Sequence, residues 1–134
     1  MKGKLDMCCN SKFFICKLCG NLAGLIVASG APMSCCGQEM TELTPNTVEA
    51  SVEKHLPEVT VKGDAIEVKV GSAPHPMEEA HYIMFVYVAG EKSGQRKCLK
   101  AGDAPEVSFS FVNDKPVAVY AYCNLHGLWK TEIK

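Results

Sequence analysis

The chain has 134 residues, of which 47% are hydrophobic and 22% charged, with a formal net charge of -1. That length allows one ordinary domain, or one of about 90 residues with a small appendage that needs a staple. The near-zero charge offers no basic field to draw in nucleic acid, and no apolar run approaches the roughly 20 residues of a membrane span.

In chain order, residues 1–44 read as a first unit. Its N-terminus, "MKGKLDMCCNSK", has no apolar core of a secretory signal, so the expected location is the cytoplasm. Phe14 and Ile15 precede a Cys-x-x-Cys-Gly turn, residues 22–27 suit a short strand, "SGAP" is a turn, and Cys35-Cys36-Gly37 closes the unit. So short a segment buries little apolar surface and needs a metal or a partner chain to hold its shape. "TELTPNTVEAS" reads as a linker.

Residues 45–134 read as a second unit with a different pattern. "AIEVKV" alternates, with Ile66, Val68 and Val70 on one face. "YIMFVYVAG" is nearly all apolar and suits a strand buried on both sides. "EVSFSFV" alternates again, and "KPVAVYAYC" closes the set. Short strands separated by "KGD", "GSAPHP", "AGEKSG", "KAGDAP" and "VNDKP" predict an antiparallel sandwich, with no amphipathic helix after residue 50. The stretch "AYCNLHGLWK" reads as the last strand and its turn.

The eight cysteines are Cys8, Cys9, Cys16, Cys19, Cys35, Cys36, Cys98 and Cys123; the four histidines are His55, His75, His81 and His126. Disulfides are rare in the cytoplasm, where clustered cysteines more often bind metal. The segregation of sulfur before nitrogen points to two metal chemistries. Cys16-x-x-Cys19 lets one turn present two sulfurs to one ion, with Gly20 giving the backbone room. With Cys35 and Cys36 it makes four thiolates, which suit tetrahedral iron or zinc. Adjacent cysteines have little freedom to aim at one ion, so this site should be distorted. A structural zinc knuckle is the plain alternative.

"CKLCGN…SCCGQEM" resembles the desulforedoxin-type iron module, whose four-cysteine pattern ends in a Cys-Cys pair. The resemblance implies one redox-active iron on Cys16, Cys19, Cys35 and Cys36. Cys8 and Cys9 fall outside the pattern and are expected to have no role. Cys98 reads as an ordinary strand cysteine.

A lone histidine is usually structural, but each of these four sits at a loop or strand edge, where a site can be both held and open. Prolines on either side stiffen the loop of His75. Four imidazoles and a thiolate make five ligands, one more than zinc prefers; iron accepts five and keeps a sixth position open. A thiolate opposite that position would push electron density through the metal, by analogy with haem-thiolate enzymes.

"EKH", "GSAPHPMEEAHYI" and "YCNLHGLWK" together resemble superoxide reductase of the desulfoferrodoxin family, in order and spacing, over residues 13–134. The resemblance implies His55, His75, His81 and His126 as equatorial iron ligands and Cys123 as the axial one. It implies Glu53 as a carboxylate that caps the sixth position in the oxidised site, and Lys54 as the cation that draws in superoxide. It implies backbone N–H groups of Leu125 and His126 aimed at the Cys123 sulfur. Without it, a Glu-Lys pair beside a strand would be a solvated face. Glu78 and Glu79 read as solvated loop charges, and Tyr120, Tyr122 and Trp129 as packing, with Trp129 also expected close to the iron through the turn it shares with His126.

The expected protein is all-β: a small desulforedoxin-like N-terminal metal module followed by an immunoglobulin-like β-sandwich carrying the catalytic centre. It reduces superoxide to hydrogen peroxide, carries two irons per chain and forms a homodimer, and rubredoxin is the expected electron donor. No nucleic acid or membrane is expected as a partner. Two rivals stand beside it: an electron-transfer protein with a saturated second site, and a structural zinc-binding module.

Overall fold

The structure, a computed structural model, describes residues 11–133. Cys8 and Cys9 lie outside the described residues. The chain begins with β1 (Lys12–Ile15) and β2 (Leu22–Leu25), an antiparallel pair joined by the Cys-x-x-Cys-Gly turn. A two-stranded hairpin follows, β3 (Ser34–Cys35) and β4 (Gln38–Glu39), and β5 (Thr41–Glu42) returns to pair with β1. The first sheet therefore has the order β2-β1-β5. Its third strand comes from the start of the stretch that reads as a linker.

A single helical turn, α1 (Val52–His55), leads into β6 (Pro57–Lys62) and β7 (Ala65–Val70). The remaining strands are β8 (Ile83–Gly90), β9 (Gly94–Cys98), β10 (Glu106–Ser110), β11 (Pro116–Cys123) and β12 (Gly127–Glu132). They form two antiparallel sheets of order β10-β7-β6 and β12-β11-β8-β9. Ile66, Val68 and Val70 of β7 and Phe109 of β10 meet Val86 and Val88 of β8 and Val119 and Ala121 of β11. The alternating strands supply one inner face and the apolar strands the other, as expected of a sandwich.

Residues 83–90 are continuously apolar because both faces of the four-stranded sheet are covered. Phe85 and Ala89 point away from the sandwich core, with Ala118, Tyr120 and Tyr122 of β11, onto Phe13 of β1. The Phe13 ring lies 5.4 to 5.9 Å from those of Tyr120, Tyr87 and Phe85. The aromatic packing expected of Tyr120 and Tyr122 is thus the seam between the N-terminal sheet and the sandwich.

The stretch "AYCNLHGLWK" is not one strand. It holds the end of β11, a turn over 124–126, and the start of β12, with Cys123 opposite Gly127. A β-bulge lies beside it: Tyr122 opposes Phe85 and Cys123 opposes Ile83, skipping Met84. Bulges re-aim side chains near functional sites. Here Ile83 and Cys123 both turn into the sandwich core, each fully buried.

The presumed linker is pinned. Asn46, at φ 63°, donates its N–H to Leu128 O and exchanges side-chain hydrogen bonds with both the N–H and C=O of Lys130. It imitates a strand partner along β12. No helix among the described residues is long and apolar enough to cross a membrane.

Candidate metal centres

The four N-terminal cysteines Cys16, Cys19, Cys35 and Cys36 have sulfurs within 4.8 Å of one another. An ion with bonds of about 2.3 Å in tetrahedral array needs sulfurs about 3.8 Å apart. Cys19 and Cys35 stand at 3.6 Å, and Cys35 and Cys36 at 3.8 Å. The awkward Cys35-Cys36 pair is accommodated by the β3–β4 hairpin. Its two-residue turn is Cys36-Gly37, with φ 54° and 77°. Both turn residues at positive φ match the twist of a hairpin, and Gly is favoured there. Cys36 carries the strain, about 1 kcal/mol for a side chain in the left-handed region. The expected distortion therefore sits in the backbone at one residue.

The electrostatics of this cluster call for a cation. Backbone N–H groups of Cys19 and Leu18 lower the Cys16 thiol to about 6, against the effect of burial. The neighbouring Cys19, Cys16 and Cys35 push Cys36 up to about 12. Four thiols so close cannot all ionise unless a positive ion shares them.

The second cluster is built by four separate segments. Its core is His55, His75, His81 and Cys123, with ligand atoms within 4.8 Å of one another. His126 joins through Nδ1, 3.1 Å from His55 Nε2 and 3.8 Å from Cys123 Sγ. The ring centroids make a quadrilateral. Its sides are 4.7 Å (His55–His75), 4.7 Å (His75–His81), 5.0 Å (His81–His126) and 4.9 Å (His126–His55). The His55–His81 diagonal is 6.3 Å. Neighbouring rings stand at 76° to 85° to one another. This is a near-square, with His75 and His126 at opposite corners.

A metal with bonds of about 2.1 Å to nitrogen needs neighbouring nitrogens about 3.0 Å apart in a square and about 3.4 Å apart in a tetrahedron. The 3.1 Å between His55 and His126 fits the square. Cys123 contributes the fifth atom, its Sγ 3.8 Å from His126 Nδ1. The Nε2 atoms of His75 and His81 are buried and have no hydrogen-bond partner. Buried polar atoms are rarely left so, and two lone pairs aimed at one point fit a bound ion. The residues present therefore fit a five-ligand metal.

Each segment holds its histidine by a local device. Ser51 O accepts a hydrogen bond from His55 Nδ1 at 2.7 Å, and Pro76 O from His75 Nδ1 at 2.6 Å. A carbonyl only accepts, so Nδ1 carries the proton in both rings and Nε2 keeps its lone pair. His81 is fixed through its backbone, by paired hydrogen bonds with Glu78 at 2.9 and 3.0 Å. Glu78 is thus part of a structural bridge, although its carboxylate reads as solvated. The α1 turn is braced from beneath. Gly71 N–H donates to Leu56 O at 2.9 Å, and Ala73 N–H and the Ser72 hydroxyl donate to Glu53 O at 3.1 and 3.2 Å.

Burial lowers the pKa of His55 and His81, and pushes His75 down to about 4. Neutral imidazoles are the form that binds metal. Burial raises the Cys123 thiol, while the N–H groups of Leu125 and His126 act against it. Those are the two donors expected at this sulfur.

His55 and His75 are buried at 3% exposure, so they are less open than their loop positions suggest. Glu53 and Lys54 lie exposed on α1, two residues and one residue before His55, on a helical turn and not beside a strand. The Lys54 charge reaches the centre, since it disfavours protonation of both His55 and His81. The Glu53 side chain has no hydrogen bond among the described residues. Cys98 is exposed at the end of β9 and takes no part in either cluster.

The sequence places Trp129 in packing and, through the shared turn, close to the centre; the bonds by which it holds two of the histidines are not visible there. Its ring stacks on His55 at 5.0 Å and 24°, and its Nε1–H donates to His126 O at 3.1 Å. It thereby braces two neighbouring corners of the square. Its position three residues after His126 was the available signal.

The family model described as desulfoferrodoxin matches residues 47–132. A desulfoferrodoxin from Syntrophotalea carbinolica is 43% identical over 117 residues, covering 87% of this chain and 92% of that one. One from Nitratidesulfovibrio vulgaris is 40% identical over 121 residues, covering 90% and 95%. Among solved structures, the superoxide reductase from Treponema pallidum superposes with a TM-score of 0.77 at 36% identity, covering 92% of this chain and 99% of that one.

Proposed function

The chain belongs to the desulfoferrodoxin family, and we propose that His55, His75, His81, His126 and Cys123 hold the iron at which it reduces superoxide. Its activity is superoxide reduction: superoxide takes up one electron and two protons and leaves as hydrogen peroxide. The observation that carries the ligand assignment is the near-square of four imidazoles with one buried thiol beside it. A second iron belongs to the four-cysteine cluster, on Cys16, Cys19, Cys35 and Cys36. The iron, when bound, supplies the single electron and an open coordination position.

The chain's own residues set the conditions for that chemistry. His55, His75, His81, His126 and Cys123 would hold the iron, and a position they leave free would take a small anion. Burial of Cys123 keeps water from its sulfur, and the Leu125 and His126 N–H groups offset part of its charge. Such outer-shell donors tune the electron richness of a ligand. Lys54 offers a local positive charge beside His55 and His81, which raises encounter with superoxide without a basic protein overall. It also holds a proton donor near the place where peroxide forms. Glu53, next to it on the same turn, would offer a carboxylate to the open position between turnovers.

The same reading extends to organisation and partners. Residues 1–44 form a desulforedoxin-like module and 45–134 the catalytic sandwich. The protein is a homodimer: Leu18, Ile26 and Val27 are apolar and exposed on the N-terminal module, a surface a second copy would cover. Rubredoxin is the electron donor. None of the six described cysteines is in a disulfide, as suits a reducing cytoplasm where the protein detoxifies superoxide.

The test is to reduce the iron-loaded protein, add superoxide, and follow the thiolate-to-iron band of the second centre. Its appearance should match the rate at which superoxide disappears in the wild type, and Cys123→Ser should abolish it. A band that survives in Cys123→Ser would move the thiolate ligand elsewhere.

A further inference from the structure

Asn124 follows Cys123 directly and reads in the sequence as a spacer that lets the turn fold back. The structure gives it a specific set of bonds. Its Oδ1 accepts the Tyr82 N–H at 2.9 Å, and its Nδ2 donates to Ala80 O at 3.1 Å. Its own N–H donates to Tyr82 O at 3.2 Å. One side chain therefore grips the chain on both sides of His81, and its backbone adds a third bond.

His81 is the corner that needs this. The rings of His55 and His75 are oriented by their own Nδ1 bonds to carbonyls. No such bond to His81 Nδ1 occurs among the described residues. Its Nε2 is nevertheless buried and unpartnered, aimed with the others. The ring's direction must come from the backbone that carries it. The Glu78 bridge holds that backbone from its own loop, and Asn124 ties it across to the β11–β12 turn. The residue that ties it is covalently joined to Cys123.

We infer that Asn124 is a positioning residue: it fixes the His81 corner of the square relative to the Cys123 sulfur, in place of an outer-shell bond on the His81 ring. The inference rests on the ligand assignment proposed above. Loss of an outer-shell partner of a metal ligand typically costs about 10- to 100-fold in metal affinity. Asn124→Ala would offer neither an acceptor for the Tyr82 N–H nor a donor for Ala80 O. An Asp would keep the acceptor and lose the donor.

The experiment compares wild type, Asn124→Ala and Asn124→Asp as full-length iron-loaded proteins. Release of iron to a chelator is timed at each centre, and the position of the second centre's thiolate band is recorded. Asn124→Ala should release iron from the histidine–cysteine centre about 10- to 100-fold faster, with a displaced band and an unchanged four-cysteine centre. Asn124→Asp should fall between it and the wild type, and it decides the matter if Asn124→Ala does not fold. Equal release rates and an unmoved band in both variants would overturn the inference alone. So would parallel loss of both irons, which would mark Asn124 as a general stabiliser. A wild-type chain that takes up no iron at the histidines would overturn this inference and the ligand assignment beneath it.

Discussion

Replacing Gly71 by Ala should damage the catalytic centre from behind. Gly71 has φ +88°, and a Cβ there would stand 2.6 Å from Lys54 O and 2.8 Å from the Lys54 carbonyl carbon, and against Ala73 O. The Lys54 atoms are backbone of the turn that carries Glu53, Lys54 and His55, and Ala73 O is backbone of the loop that leads to His75, so no side chain can swing aside. The left-handed backbone costs about 1 kcal/mol for Ala. Overpacking costs about 1 to 3 kcal/mol. The sum is about 2 to 4 kcal/mol, relieved only if the turn that carries His55 and the loop that leads to His75 both shift. The chain has one tryptophan, Trp129, and it stacks on His55. Its fluorescence in metal-free protein therefore reports urea unfolding of the sandwich itself. The variant should lose stability by the stated amount, and its histidine–cysteine centre should hold less iron while the four-cysteine centre keeps its spectrum. A midpoint equivalent to within about 0.5 kcal/mol of wild type, with full iron at both centres, would refute the bracing argument.

Lys54→Ala should slow superoxide capture about fivefold at low ionic strength, the effect of roughly 1 kcal/mol of Coulomb attraction in a wet setting, and leave both irons bound. A rate that does not change at low salt would remove its steering role. Cys36→Ser should weaken or abolish the four-cysteine centre and spare the other, read from the two spectra; loss of both irons would contradict two independently assembled sites. Metal-free protein should lose stability as pH falls from 6.5 to about 4. His75 is held neutral to about 4 in the fold and takes its proton near 6.5 when unfolded, so acid favours the unfolded chain over that window. His55 and His81 shift in the same direction. A urea midpoint that does not fall over this range, or falls equally in His75→Gln, would contradict it.

The ligands were legible because their chemistry is written in residue types. Cys-x-x-Cys and a Cys-Cys pair announce a thiolate site, and a histidine at each of four loop edges with a cysteine on the last turn announces another. The alternating strands were legible for the same reason: one buried face imposes period two. What remained hidden depended on contacts far apart in sequence. The second buried face of β8 exists because Phe13 covers it, and residues 83–90 do not say so. The α1 turn is four residues long and is fixed by Gly71, Ser72 and Ala73 from another segment. A Glu-Lys-His run that short carries no helical period. Trp129 and Asn124 look like filler until their partners, His55, Ala80 and Tyr82, are brought beside them. The Cys36-Gly37 turn was half visible: the strain was foreseen, but its release through positive φ at both residues needs the β3–β4 pairing.

The central claim, that the square of histidines with Cys123 reduces superoxide, is tested most directly by counting products. Fully reduced, iron-loaded protein is mixed with a limiting amount of superoxide, and hydrogen peroxide and dioxygen are measured together. Reduction predicts one peroxide for each superoxide consumed, one electron lost from the protein, and no dioxygen. One peroxide for every two superoxides, with dioxygen released and the protein still reduced, would make the centre a dismutase and contradict the account.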